Sequence, residues 1–199
     1  MAPGEFYHLF NHANGWENVF IEEKNYSFFL KRLSHHVLPV CRIYAYCLMK
    51  NHFHLLIQVR QSDELRLLWG KDKDGNELNK KRLMLKISKA FANFFSSYTL
   101  AFNKVYKRMG SLFIPNMKTE LVNSNDYFRN AVLYIHRNPV HHKFVKTIED
   151  WEHSSYKIFL SNKETRIERD YVLKVFGGLD SFIKLHQQQL YSDNKWAEE

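Results

Sequence analysis

Two apolar stretches, Cys41 to Met49 and His52 to Arg60, are separated only by Lys50 and Asn51. So short a link joins strands only as an antiparallel hairpin, because a parallel pair needs a crossover of a dozen or more residues. Residues 5–13 alternate as an earlier strand. After an Asn14-Gly15 turn, the apolar residues of Glu22 to Leu33 recur at helical spacing, and Pro39 closes that unit. Beyond the hairpin, Leu83, Ile87, Phe91, Phe94, Tyr98 and Phe102 step by three or four residues and mark a long amphipathic helix to about Lys104. Ser111 to Val122 reads as a fourth strand region, and the charged stretch from Gln61 to Lys81 as an exposed connection. The order strand, helix, strand, strand, helix, strand predicts an α+β chain of the ferredoxin-like split βαβ type. The strand starting at His52 is expected to be central in its antiparallel sheet.

His52 and His54 stand at i and i+2 of that strand, so their side chains leave one face while Phe53, Leu55 and Ile57 leave the other. The strand thus offers one face to the core and one, at its start, to chemistry. Two imidazoles converging on a point suit a metal ion. They suit equally well a pair of buried rings with ordinary hydrogen-bond partners, and the spacing does not choose between these.

A second segment lies some eighty residues further on, from Tyr127 to Val140. Ser124, Asn125 and Asp126 are candidate helix caps, the apolar positions follow helical spacing, and Pro139 is expected to stop the helix. Tyr134 and Asn138 are then i and i+4, on one face. On an arbitrary helix such a pair is ordinary surface.

Several separate motifs, in order, resemble the single-tyrosine HUH transposases, most closely the REP-associated tyrosine transposases related to small single-strand insertion sequences. They are Phe6-Tyr7-His8-Leu9-Phe10-Asn11-His12-Ala13-Asn14-Gly15, Asn51-His52-Phe53-His54-Leu55-Leu56, Arg108-Met109-Gly110-Ser111-Leu112-Phe113, Tyr134-Ile135-His136-Arg137-Asn138-Pro139-Val140 and Trp151-Glu152-His153-Ser154-Ser155-Tyr156. The resemblance runs from about residue 5 to 160. Two departures are Lys50, where many members carry proline, and a longer, more charged Gln61–Lys81 stretch.

The resemblance implies a catalytic domain over residues 1–160, with residues 161–199 as a helical appendage to which no chemistry is assigned. It implies Tyr134 as the nucleophile, His52 and His54 as ligands of Mg²⁺ or Mn²⁺, and Asn138 as the third ligand. It further implies single-stranded DNA as substrate, cleaved and rejoined beside a hairpin through a 5′-phosphotyrosine, by a monomer or a homodimer. The metal, Arg137 or His136 would lend positive charge to the phenol. Among rival tyrosines, Tyr156 reads as packing, Tyr127 opens its helix, and Tyr98 belongs to the long apolar stripe. His8 and His12 share a face of the first strand and either line the site or make structural hydrogen bonds. The adjacent pairs His35-His36 and His141-His142 read as surface or phosphate-contacting residues.

At 199 residues, one catalytic domain with a proper core is the simplest organisation. The formal charge of +8 favours a polyanionic partner, with Lys104, Lys107, Arg108, Lys118, Arg137 and Lys143 as candidates to follow a DNA backbone. Cys41 and Cys47 fall in apolar strand patterns and read as inert buried thiols in a reducing compartment. No apolar run approaches the ~20 residues of a membrane span, so a cytoplasmic protein is expected. The competing reading is a non-catalytic DNA-binding regulator on the same fold. An RNA-recognition module fits less well, because histidines occupy its central strand and no aromatic RNP-like sequence is present.

Overall fold

The computed structural model describes residues 1–15 and 17–188. Its elements are β1 (Phe6–His12), α1 (Glu23–His36), β2 (Cys41–Leu48), β3 (His52–Val59), α2 (Ser62–Trp69), α3 (Lys80–Tyr106), β4 (Lys118–Val122) and α4 (Asn125–His141). A 3₁₀ turn (Ile148–Asp150), α5 (Tyr156–Phe159), α6 (Arg169–Phe176) and α7 (Leu179–Gln187) follow. The sheet order is β2-β3-β1-β4 with every pair antiparallel, which is the ferredoxin-like arrangement with β3 and β1 inside.

Each sheet face carries its own core. On one side Phe29 and Leu33 of α1 and Ile87, Phe91, Phe94 and Tyr98 of α3 pack over Leu9, Phe53, Leu55 and Ile57. The buried positions of α3 are the six that its three-to-four spacing marks. On the other side Phe128, Ala131, Val132 and Ile135 of α4 cover Tyr44, Ala45, Cys47 and Leu56. Past its start, the histidine face of β3 belongs to this second core. Beyond His52 and His54 that face continues into Leu56, and α4 lies across it, leaving His52 2% and His54 0% exposed. Cys41 and Cys47 are buried and free.

Three expectations change. The Gln61–Lys81 connection contains α2, held by a Gln61–Glu64 capping box, by buried Leu65, and by Glu64 accepting from Arg42 at 2.7 and 3.1 Å. Its charges sit on the solvated side of an amphipathic helix, which a reading for charge alone misses. The fourth strand begins only at Lys118. Positive φ at Gly110 (83°) and Asn116 (65°) turns the chain out of extended geometry, so residues 111–117 meet the end of β1 through scattered contacts, Ile114 N–H donating to His12 O at 2.9 Å and Asn11 Nδ2 to Ile114 O at 3.1 Å beside the Ala13–Phe113 bridge.

Finally, α4 runs through Pro139 to His141. Proline removes one N–H from the helical ladder, yet His142 N–H still reaches Asn138 O at 3.0 Å and Phe144 N–H reaches Pro139 O at 2.9 Å. Asn138 therefore keeps its helical direction, one turn beyond Tyr134. At the other end, Ser124 Oγ accepts from Tyr127 N–H at 3.1 Å as the N-cap.

Val172, Phe176 and Phe182 of α6 and α7 join the α4 core rather than making one of their own. Gly177, at φ 81°, supplies the left-handed cap between these helices. No helix among the described residues is long and apolar enough to cross a membrane.

Candidate active site

The β2–β3 turn fixes the first half of the site. Met49 N–H donates to His52 O at 2.8 Å, Asn51 O accepts from Ala13 N–H at 2.7 Å, and Lys50 O accepts from Val19 and Phe20 N–H. The turn is thereby tied to the end of β1 and to the approach to α1. His52 and His54 project from this braced strand toward α4. From above, Asn138 Oδ1 lies 3.0 Å from His52 Nε2, and Asn138 Nδ2 donates to His54 Nε2 at 3.1 Å. Half-buried Tyr134 stands edge-on beside them, its ring centroid 5.4 Å from that of His54 and 5.9 Å from that of His8. The packing of α4 on the sheet thus gathers His52, His54, Asn138 and Tyr134 in one place.

Burial pushes His52 down to about 3 and His54 well below the ordinary histidine value, so both rings are neutral near pH ~7. A neutral ring carries one N–H. Both nitrogens of His52, however, face carboxamide oxygens, Asn51 Oδ1 at 2.8 Å and Asn138 Oδ1 at 3.0 Å. If the proton sits on Nδ1, two lone pairs oppose each other between His52 and Asn138. A cation held there removes the conflict, as does rotation of the exposed Asn51 amide. Among the described residues no three His, Cys, Asp or Glu side chains form a metal cage. The donor set is two imidazole nitrogens completed by an amide oxygen, which fits a divalent ion that accepts both atom types.

Three further histidines border the site. His8 Nε2 meets His54 Nδ1 at 3.1 Å, and the His12 ring stacks on His52 with centroids 4.6 Å apart. The His142 centroid is 5.0 Å from that of His52. His8 and His12 were legible in the alternation of β1, which puts them with Phe10 on one face. Glu120, opposite His8 in the β1–β4 register, gave no local signal because only the pairing brings it close.

Topology also groups the candidate cations. The start of β4, the end of α3, the hairpin turn and the end of α4 all lie at the sheet end that carries His12 and His52. Lys104, Lys107 and Lys143 are exposed there, and exposed Lys118 sits over the Phe10 ring at 5.3 Å. Arg108 is committed to Glu17, to Asn103 Oδ1 at 2.7 Å and to Ser111 O at 3.1 Å.

Arg137 and His136 point away from Tyr134. The Arg137 guanidinium donates to the carbonyls of Leu185 (2.9 Å), His186 (2.7 Å) and Gln188, capping the end of α7. His136 is fully buried between His186 (2.9 Å) and Ser155 (2.8 Å). These contacts clamp the tyrosine helix to the C-terminal helices and give stability a proton dependence. Burial pushes His186 down to about 4, whereas an unfolded histidine titrates near ~6.5. Between those values the unfolded chain holds the extra proton. Stability is therefore full above pH ~6.5 and falls by about 1.4 kcal/mol per pH unit toward pH ~4 from this group alone. Urea unfolding over that range should show the slope, reduced by about one proton in His186→Gln. An unchanged slope in that variant would contradict the assignment.

No family model matches the chain, and no curated protein matches its sequence significantly. Its fold is similar to that of a REP-associated tyrosine transposase solved bound to a REP hairpin, with a TM-score of 0.57 and 16% identity. The match covers 81% of this chain and 82% of that one. At that identity the likeness shows a shared fold.

Proposed function

We propose that this protein is a metal-dependent, single-tyrosine DNA transposase that cuts and rejoins single-stranded DNA beside a hairpin. The observation that carries this reading is the convergence of His52 and His54 on Asn138, at 3.0 and 3.1 Å, with the Tyr134 ring against His54. His52, His54 and Asn138 would hold a divalent ion, and two nitrogen donors favour Mn²⁺ over Mg²⁺. Such an ion neutralises charge on the non-bridging phosphate oxygens.

Tyr134 is the nucleophile in this reading. Its phenolic oxygen bonds to phosphorus as the bond to the 3′-oxygen of the preceding nucleotide breaks. The phenol loses its proton and the departing 3′-oxygen gains one. The 5′-phosphotyrosine keeps the ester, so another strand's 3′-hydroxyl can attack it and release Tyr134 without an energy donor. The rigid strand holds the histidines while α4 carries the nucleophile. The exposed lysines at the same sheet end would follow the backbone of a bound strand. The hairpin partner of the structural neighbour supports a hairpin substrate here.

A labelled single strand carrying a hairpin and flank, incubated with Mn²⁺ and run on a denaturing gel, tests the reading. A slow covalent protein–DNA band, lost on chelation, is expected. Hairpin binding without any covalent band or cut strand would leave the non-catalytic regulator in its place.

A further inference from the structure

His54 is held from both sides. Asn138 Nδ2 donates to its Nε2, so that nitrogen carries the lone pair and the ring proton belongs on Nδ1. Nδ1 lies 3.1 Å from His8 Nε2, which must then accept. The proton of His8 is left on its own Nδ1, 4.0 Å from Glu120 Oε2. A carboxylate is acceptor-only and favours an N–H on that side. The Tyr127 hydroxyl at the start of α4 holds Glu120 in place, donating to Oε2 at 2.7 Å.

This line of groups is set by the sheet. Glu120 faces His8 across β4–β1, and His8 lies diagonal to His54 across β1–β3, all on the side covered by α4. With the opposite proton order, His54 would carry N–H on Nε2, facing the Asn138 amide donor and unable to bind a cation. Both rings are buried, and a pair of neutral rings in contact holds one proton order or the other.

We propose that His8, backed by Glu120, is a positioning residue that fixes the tautomer and ring orientation of His54 so that Nε2 is presented as a ligand. The inference deepens the metal-site reading of His52 and His54 and rests on it. In this scheme His8 acts through His54. Partners of this kind typically change metal affinity by about 10–100-fold.

Two measurements test it. In the metal-free wild-type protein, long-range ¹H–¹⁵N correlation of the imidazoles should show His54 as the Nδ1–H tautomer. An Nε2–H tautomer would overturn the proposal whether or not the protein binds metal. Then Mn²⁺ titration followed by electron paramagnetic resonance compares wild type, His8→Leu and His8→Gln, with urea unfolding as a check on folding. His8→Leu removes the acceptor and should weaken Mn²⁺ binding by about 10–100-fold. His8→Gln retains an acceptor oxygen and should restore most of it. Wild-type affinity in folded His8→Leu overturns the proposal. If that variant does not fold, the wild-type tautomer decides. A wild-type protein that binds no Mn²⁺ fails the metal reading instead, and leaves the tautomer result to judge His8.

Discussion

Tyr134→Phe should leave a folded protein that binds hairpin DNA and forms no covalent adduct. Phenylalanine keeps the ring that stands edge-on to His54 and His8 and loses only the hydroxyl, so the change in stability should stay within about 1 kcal/mol. The chemistry has no substitute for that oxygen. Strand cleavage should fall by at least about 10⁴-fold, the scale seen when a nucleophile is removed. Tyr156→Phe is the matched control. Tyr156 is buried in the second core with its hydroxyl 3.2 Å from Glu149, so its loss should cost stability and leave adduct formation intact. Gel assays and urea unfolding of the two variants separate these outcomes. Cleavage persisting in Tyr134→Phe would contradict the assignment.

The second large effect concerns the histidine pair. His52→Ala and His54→Ala should each abolish Mn²⁺-dependent cleavage and weaken Mn²⁺ binding by more than about 100-fold, since each removes one of only two nitrogen donors. The two should differ in stability. His54→Ala leaves the Asn138 amide and His8 without their buried partner, which should cost about 1–3 kcal/mol. His52 lies at the strand start beside exposed Asn51, where water can replace the ring, and its loss should cost less. Isothermal titration with Mn²⁺ and urea unfolding report the two quantities separately. Full metal-dependent activity in either variant would make the pair structural.

Periodicity carried most of the fold. The six buried positions of α3 and the two-residue hairpin link are local signals, and they fix the element order and the β2–β3 pairing. What stayed hidden was set by tertiary packing. Leu65 and Leu78 are buried within a stretch whose charges dominate its appearance, so α2 could not be read from composition. Pro139 looks like a stop locally, but α4 gains more from burying Ile135, Asn138 and Pro139 against the sheet than it loses with one N–H. The same logic applies to the site. His52, His54, Tyr134 and Asn138 lie in short motifs with definite spacing. Arg137 and His136 belong to the same motif, yet rotation of α4 directs them to α7. Glu120 belongs to no motif, and becomes part of the site only because β4 pairs with β1 in a register that sets it opposite His8.

The proposed transposition chemistry requires a covalent bond between one tyrosine and a DNA 5′-phosphate. It is tested most directly by trapping the adduct formed with hairpin-bearing single-stranded DNA and Mn²⁺, digesting the protein and identifying the modified peptide by mass spectrometry. A 5′-phosphorylated nucleotide is expected on Tyr134, in the peptide that also carries Asn138 or its immediate neighbours. An adduct on Tyr127 or Tyr156, or strand cutting with no nucleotide attached to the protein, would contradict it.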